Sequence, residues 1–330
     1  MNILVTGGLG VSGAWVTRQL LEEGHHPVVY ENRMDTALIP DIVDKIKIVM
    51  GDIMDLPALI RAVKEYKVQR ICHLAALMGN PVQANPWLGF QVNAIGTLNV
   101  LEAARIMNVE RVVFTSSIGV SAPFTGEHGY PNYKPITEDY PKHPISRRSG
   151  VYCTAKLASE LMCFHYHQNY GLDYVVLRIG LMNGIGKKAR HGPVAIYGKM
   201  IENAMLGKPT TIPQGCDERS DIVYARDIAN SVVLACFAQG LKHREFNIGT
   251  GEGYTLRDVA DAVKKLYPEA VIDIGPGLDY LGFNSDEYCI FDISRASEEL
   301  GYSPQFTLEQ GVKDYAEIMK KLNIEPTYSP

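Results

Sequence analysis

The sequence predicts an α/β fold, with a doubly wound parallel sheet and a smaller, interleaved carboxyl-terminal domain. In the first half, short apolar runs rich in β-branched residues alternate with longer segments of helical periodicity, as in βαβ units. These runs are apolar throughout, which is typical of strands buried on both faces of a parallel sheet. After position 179 the alternation gives way to stretches rich in glycine and proline.

The elements of the first half follow from this alternation. Strands are expected at Ile3–Thr6, Pro27–Glu31, Lys47–Met50, Arg70–Leu74, Arg111–Ser116 and Tyr174–Ile179. Helices are expected at Val11–Glu23, Pro57–Glu65, Gly89–Met107 and Val151–Tyr170. Crossover connections of this length are right-handed, and such sheets bind ligands at the carboxyl ends of their strands.

The carboxyl-terminal part is expected to form a substrate-binding domain. Its predicted helices are Thr255–Leu266, Arg295–Leu300 and Leu308–Lys321. Asp221–Tyr224, with the helix that follows it, and Glu245–Ile248 are expected to return to the main sheet. The predicted domains are therefore 1–179 plus about 221–250 for the first, and 180–220 plus 251–330 for the second.

Composition narrows the function classes. The chain has 330 residues, 46% of them hydrophobic, and no apolar run approaches the about 20 residues of a membrane span. A net charge of −5 argues against a nucleic-acid partner. The sequence opens directly into a strand-like run, so a cytoplasmic protein is expected. The cysteines form no C-x-x-C pair and are expected to be reduced and mostly buried, with no metal site.

A glycine loop, TGGLGVSG, follows the first strand and places Gly7, Gly10 and Gly13 three residues apart. Between a strand and a helix, such glycines allow a tight turn and a close backbone approach to a pyrophosphate, which the helix amides then face. The alternative is an ordinary glycine-rich turn. Because of its strand and helix flanks, the loop predicts a phosphate-binding site.

Acidic residues after the second and third strands bear on the nature of the ligand. Glu31 is placed to accept hydrogen bonds from a ribose diol and to repel a 2′-phosphate, which favours NAD over NADP. Arg33 is the opposing signal, since a basic residue there can meet a phosphate. Asp52 is placed to accept from the adenine amino group, or alternatively to cap the helix that begins near Pro57.

Tyr152 and Lys156 lie four residues apart in VYCTAKLASELM, so that both side chains leave one face of the helix. A phenol is a poor base at neutral pH, and a cation one turn away favours the phenolate. The strand ending in FTSS supplies Ser116 and Ser117, either of which can hydrogen-bond a substrate oxygen. The alternative interpretation is two exposed helix residues without a role in chemistry.

In this order, TGGLGVSG, GDIMD, HLAA, VNAIGTLNVLEAAR, FTSS, YCTAK, LRIG and VYARDIANS resemble the extended short-chain dehydrogenase/reductase family, the NAD-dependent epimerase/dehydratase group. The resemblance implies a Rossmann NAD-binding domain. It makes Tyr152 the general acid/base, Lys156 the ribose-binding cation and Ser117 the group that orients the reacting oxygen. It also implies a homodimer formed through the helices at Gly89–Met107 and Val151–Tyr170. The residues expected to bind NAD are Gly7, Gly10, Val11, Gly13, Glu31, Asn32, Asp52, Ile53, Leu74, Ala75, Ala76, Asn93, Tyr152 and Lys156.

The sequence departs from the family pattern at three places. Ile118 and Gly119 follow Ser117, where dehydratases carry an acid, which argues against elimination chemistry. Leu181 and Ser220 occupy positions where nucleotide-sugar enzymes of the family carry Asn and Arg. Alternatively, Arg219 replaces the missing Arg through a one-residue shift, and the nearby Asn183 replaces the missing Asn, so that the contacts to the nucleotide are kept.

Two loops are candidates for substrate binding. The segment 122–150 is long for a connection and precedes Tyr152 directly. GIGKKARHG, residues 184–192, is either an anion clamp or a solvated basic loop. The substrate residues expected overall are Met78, Ser116, Arg147, Arg148, Asn183, Lys187, Arg190 and Arg219.

Together these features predict an NAD-dependent oxidoreductase acting on a secondary alcohol of a polar, anionic or sugar-like small molecule. The departures at Leu181 and Ser220 favour a dehydrogenase, or else an epimerase of an unusual substrate, with the dehydrogenase preferred. The alternatives are an epimerase of a nucleotide sugar, which returns the hydride, and a non-catalytic NAD-binding protein.

Overall fold

The computed structural model describes residues 1–143, 150–191, 195–281 and 288–329. Its strands are β1 (Asn2–Thr6), β2 (His26–Glu31), β3 (Lys47–Met50), β4 (Arg70–His73), β5 (Arg111–Ser117), β6 (Asp173–Ile179), β7 (Leu181–Asn183), β8 (Thr210–Ile212), β9 (Ile222–Tyr224), β10 (Glu245–Ile248) and β11 (Ile272–Ile274). Its helices are α1 (Gly13–Glu22), α2 (Leu56–Glu65), α3 (Asn80–Ala84), α4 (Pro86–Phe90), α5 (Gly96–Ile106), α6 (Gly150–Tyr170), α7 (Lys187–His191), α8 (Ile196–Met205), α9 (Ala225–Phe237), α10 (Leu256–Leu266), α11 (Ser294–Leu300) and α12 (Leu308–Lys321).

The main sheet of the described chain has seven strands in the order β3-β2-β1-β4-β5-β6-β10, all paired in parallel. The strand order reverses direction between β1 and β4, which places a crevice at their carboxyl ends. The expected doubly wound Rossmann architecture is confirmed. The six strands predicted for the first half lie within one residue of their observed bounds.

Helices cover both faces of the sheet. Helices α2 and α5 pack on each other and bury Leu4, Ile71 and Phe114 on one face. On the other face α1 packs against α9 in a larger core that continues into the carboxyl-terminal part. The sheet is therefore fully enclosed, as the unbroken apolar runs of its strands require.

Two expectations about the elements need correction. Asp221–Tyr224 was expected in the main sheet, but β9 pairs with β7 in a separate small sheet, while β10 does join the main sheet beside β6. The helix expected at Gly89–Met107 is divided into α4, one π-helical turn at Gln91–Ile95, and α5. π-helical turns often occur at functional sites.

The remaining expectations concern cysteines, metals and membranes. All six cysteines are buried and free, which confirms the prediction of burial. The described part of the chain holds no group of three or more potential metal ligands. Within the same residues, no helix has the length and apolarity needed to cross a bilayer.

Candidate active site

The candidate site lies at the carboxyl edge of the main sheet, beside the crevice between β1 and β4. Thr6 and His73 end these strands and are register partners, with Thr6 Oγ1 2.6 Å from His73 Nδ1. Glu31 ends β2 and Ser117 ends β5 at the same edge. Because parallel strands bring their carboxyl ends together, residues far apart in sequence converge here.

The glycine loop is closely packed, as its sequence predicts. Gly7 has φ of +73°, and a Cβ there would lie 2.7 Å from the backbone nitrogen of Ala75. A Cβ on Gly13 would lie 2.0 Å from Gly7 O, so α1 can start against the loop only without a side chain. Val11 is buried and lies close to Gly184. Through this contact the glycine loop packs against the segment that follows β7.

Glu31 is held against the glycine loop. Its Oε1 accepts a hydrogen bond of 3.0 Å from the Leu9 N–H. Burial raises the pKa of Glu31, and the N–H groups of Leu9 and Asn32 and the charge of Arg190 oppose the rise. Asn32 and Arg33 are exposed beside it. The acid expected for a ribose diol is therefore fixed next to the phosphate-binding loop.

Asp52 and Ile53 follow β3 in different roles. Asp52 is exposed, and its Oδ1 accepts from the Met54 N–H at 2.9 Å. The alternative that Asp52 caps the next helix is wrong, because Asp55 caps α2 by accepting from the Ala58 N–H at 2.9 Å. Ile53 is buried against the position of Gly96 on α5.

Asn93 organises the loop after β4. Its Oδ1 accepts from the Leu77 N–H and its Nδ2 donates to Leu77 O, both at 2.8 Å. Asn93 is 1% exposed, so its amide fixes the loop backbone and is itself covered. Leu74, Ala75, Ala76 and Met78, which belong to this loop, are all partly exposed at the crevice.

His73 begins the HLAA motif but was not among the predicted site residues, although the structure places it in the site. Its ring is buried between Thr6 and the Thr97 hydroxyl, which lies 3.0 Å from Nε2. Burial and, less strongly, the charge of Lys156 lower the pKa of His73 to about 3. The ring is therefore neutral and serves to tie β1, β4 and α5 together.

Lys156 is buried at the centre of the site. Its Nζ donates to Thr115 O at 2.7 Å and lies 4.5 Å from the Phe114 ring centroid. Burial lowers the pKa of Lys156 to about 7, although the nearby Cys163 and Glu160 oppose this. The amine is therefore close to its own midpoint of charge at neutral pH.

Tyr152 lies one helical turn before Lys156, with Lys156 Nζ 5.7 Å from its ring centroid. Its phenol is close enough to the side chain of Ser117 for the two to interact. Burial, with a smaller contribution from Cys153, holds the pKa of Tyr152 well above its usual value, and the Ser117 side chain opposes this. The structure thus brings the three predicted catalytic side chains together.

Ser116 points away from Ser117, because successive side chains leave opposite faces of β5. It is 3% exposed, and its hydroxyl donates to Glu160 Oε1 at 2.6 Å. This location does not favour the expected contact of Ser116 with substrate. It belongs to a buried network between β5 and α6.

The cations of residues 184–192 do not converge as an anion clamp. Lys187 Nζ donates to Met182 O at 2.5 Å, and Lys188 contacts Glu202 at 3.2 Å and Thr327 O. Arg190 turns toward the glycine loop, where it pairs with Asp35 at 2.8 Å. The side chain of His191 lies outside the described residues. The interpretation as a single clamp therefore does not fit the directions of these side chains.

The other expected substrate residues are spread over the carboxyl-terminal part. Asn183 is buried at the end of β7. Arg219 is exposed, with its guanidinium on Gly253 O at 2.9 Å and its N–H on the Tyr133 hydroxyl at 3.2 Å. Arg147 and Arg148 lie outside the described residues.

The residues at the crevice fit NAD. A Cβ on Gly10 would meet Gly7 O at 3.1 Å and would otherwise enter open space in front of the loop, where a phosphate needs backbone approach. Glu31 offers a carboxylate for a ribose diol beside that loop. Lys156 and Tyr152 lie at the opposite end of the crevice, where hydride chemistry would take place.

Comparisons with known proteins identify relatives of this chain over nearly its whole length. The family model of the NAD dependent epimerase/dehydratase family matches residues 3–249. The chain is 30% identical to the UDP-glucose 4-epimerase of Mycolicibacterium smegmatis, over 97% of this chain and 99% of that one. It is 29% identical to a putative UDP-glucose 4-epimerase of Methanocaldococcus jannaschii, with the same coverage of 97% and 99%.

A solved relative shows the same fold with a dinucleotide. The UDP-glucose 4-epimerase of Thermus thermophilus, solved as a complex with NAD, superposes with a TM-score of 0.80 at 27% identity, over 97% of this chain and 99% of that one. NAD is named both by the family description and by this solved complex. The chain belongs to the NAD-dependent epimerase/dehydratase family.

Proposed function

We propose that this protein is a nucleotide-sugar 4-epimerase that acts on a UDP-hexose. The observation that carries the proposal is the placement of Tyr152 beside Ser117 and buried Lys156, in a chain that matches proteins named UDP-glucose 4-epimerase over nearly their whole length. The sequence alone favoured a dehydrogenase. The relatives do not support that preference, since those reported above are 4-epimerases.

The reaction requires a proton to leave and return at one hydroxyl. NAD, when bound, would supply a reversible hydride acceptor for the sugar carbon that carries this hydroxyl. The Tyr152 phenol is the group placed to take the hydroxyl proton and restore it. The Ser117 hydroxyl, which lies beside the phenol, is the group placed to orient the reacting oxygen.

Lys156 determines when the phenol can act. A positive charge 5.7 Å from the Tyr152 ring centroid favours the phenolate. Because burial lowers the pKa of Lys156 to about 7, this charge is lost as the pH rises above neutral unless a ligand stabilises it. The two side chains therefore act as one coupled unit.

Elimination chemistry is disfavoured by the residue after Ser117. This residue is Ile118, which is buried and begins a short 3-10 turn. Because its side chain is not an acid, it cannot promote loss of water. Retention of both the oxygen and the carbon skeleton is what epimerisation requires.

The test is conversion of UDP-galactose to UDP-glucose by the purified protein, followed by NMR. Tyr152→Phe should abolish it, and Tyr170→Phe is the matched control, since Tyr170 lies on the same helix and is 55% exposed. If no nucleotide sugar is converted but an alcohol is oxidised with Tyr152 required, the dehydrogenase alternative replaces the proposal. Unchanged cellular function of Tyr152→Phe would favour a non-catalytic NAD-binding protein.

A further inference from the structure

Arg190 connects the carboxyl-terminal part to the glycine loop. Its Nη2 donates to Asp35 Oδ2 at 2.8 Å and to Leu9 O at 3.3 Å. Asp35 lies four residues after Glu31, in the connection that follows β2, and Leu9 lies between Gly7 and Gly10. A guanidinium from outside the first predicted domain thus reaches the predicted dinucleotide cleft.

The Leu9 peptide joins this arginine to Glu31. The Leu9 N–H donates to Glu31 Oε1 at 3.0 Å, and the Leu9 carbonyl accepts from Arg190. Gly186, with φ of +81°, lies against the guanidinium, since a Cβ there would be 2.4 Å from Nη1. Arg190 is 19% exposed in its side chain, so it is packed into the rim of the cleft.

The chemistry of the rim is that of a diphosphate site. The loop amides and the first turn of α1 present partial positive charge to this space. A guanidinium adds a full charge and planar donors suited to phosphate oxygens. Within the described residues both hydrogen bonds of the Arg190 guanidinium are made by Nη2, and Nη1 lies against Gly186.

We propose that Arg190, anchored by Asp35, is a clasp that binds the diphosphate of NAD and slows its release. Arg190 is then a cofactor-retaining residue and not part of a substrate anion clamp. The proposal rests on the placement of the dinucleotide at the glycine loop, and not on which reaction the enzyme performs. Slow release suits an enzyme that must take back its own hydride.

The test measures dinucleotide binding directly, without any sugar. Release of labelled NAD into an excess of unlabelled NAD is timed, and ADP-ribose and adenosine are titrated calorimetrically. Arg190→Ala should speed NAD release about tenfold or more, because a hydrogen bond to a charged group is lost. The affinity for ADP-ribose should fall by a similar factor. The affinity for adenosine should not change, since adenosine lacks the phosphates.

The control is Arg18→Ala. Arg18, on α1, forms a comparable ion pair of 2.7 Å with Asp41, away from the loop contacts of Arg190. Loss of this pair should leave the binding of all three ligands unchanged. If Arg190→Ala does not fold, Arg190→Gln removes the charge and keeps the length, with the same expected result. Unchanged NAD release, or equal weakening of adenosine and ADP-ribose, would overturn the proposal.

Because no sugar is present, these outcomes are independent of the proposed epimerisation. A variant that releases NAD normally but has a raised KM for the nucleotide sugar would place Arg190 in the substrate site and also overturn the clasp. If the wild-type protein has no 4-epimerase activity, the result of the NAD-binding experiment still stands.

Discussion

Tyr152 and Lys156 lie four residues apart on α6, and burial moves their pKa values in opposite directions. The pKa of the phenol rises, and that of the amine falls to about 7. The phenol by itself is a poor base at neutral pH, whereas the amine is close to its midpoint of charge there. Their proximity to each other and to Ser117 is what makes a buried tyrosine usable as an acid and base.

Replacement of Tyr152 by Phe removes the hydroxyl that exchanges a proton with substrate. We expect turnover to fall about 100-fold to 10,000-fold, the range of general acid–base catalysis, with NAD affinity changed far less. Steady-state kinetics and NAD titration of the same preparation measure both quantities. Turnover within a factor of a few of the wild type would contradict the assigned role.

Lys156→Met tests the lowered pKa of the amine through stability. The unfolded chain holds this proton up to about 10.4, whereas the folded chain releases it near 7, so burial of Lys156 costs most at low pH and nothing above both values. The NAD-free variant should therefore gain stability relative to wild type at pH 6, and less of it at pH 10. Urea unfolding at both pH values measures the difference, and a pH-independent difference would contradict the shift.

The sequence identified these residues because Y-x-x-x-K and FTSS fall on a predicted helix and strand. Strand position alone could not decide whether Ser116 or Ser117 faces the substrate, since that depends on which face of β5 the crevice covers. The family resemblance assigned this role to Ser117. Asp52 was the only cap suggested for the helix near Pro57, whereas Asp55 caps α2. Directions of long side chains, such as Lys188 toward Glu202, depend on tertiary partners far along the chain.

Helix α6 is locked to the sheet by a buried ion pair. Arg178 on β6 contacts Glu160 on α6 at 2.9 Å, and both side chains are almost fully buried. Glu160 also accepts from Ser116, the neighbour of Ser117, at 2.6 Å. The helix that carries Tyr152 and the strand that carries Ser117 are thereby held in one register.

We expect Glu160→Gln to destabilise the protein by about 3 kcal/mol or more, because it leaves the Arg178 charge buried without its counterion. The matched control is Glu102→Gln, whose partner Arg105 is 37% exposed, and there the loss should stay below about 1 kcal/mol. Urea unfolding of the two variants gives the comparison. Equal losses would show that the buried pair has no special role.

Element bounds were predictable wherever an apolar run or an amphipathic pattern was unbroken, as in β3 and α12. The π-helical turn was not predictable in this way; it contains Asn93, whose amide bonds the Leu77 backbone, a partner that local periodicity does not reveal. The pairing of β9 with β7 also escaped prediction. Both are three-residue strands, and such short runs do not specify which partner they will find.

On the scale of the whole molecule, α5 and α6 present an apolar outer surface. Leu161 and Phe164 on α6 are 58% and 53% exposed, and Ile106 on α5 is 43% exposed. Side chains of this kind are usually covered by a partner when they cluster. We therefore infer that the protein forms a homodimer through these two helices, as the family resemblance led us to expect.

Leu161→Glu combined with Phe164→Glu should convert the dimer to a monomer, because two charges would enter its apolar contact. Light scattering coupled to size-exclusion chromatography measures the mass directly. Tyr328→Glu, a change at a residue 48% exposed near the carboxyl terminus, is the control and should leave the mass unchanged. A monomeric wild type would refute the dimer.

The proposed epimerisation requires that the hydride return to the sugar. Incubation of the enzyme with excess UDP-galactose and added NAD, with UDP-glucose followed by NMR and NADH by absorbance, measures this. We expect many turnovers of UDP-glucose with NADH never exceeding the amount of enzyme. NADH that accumulates in proportion to the sugar consumed would contradict it and establish a dehydrogenase.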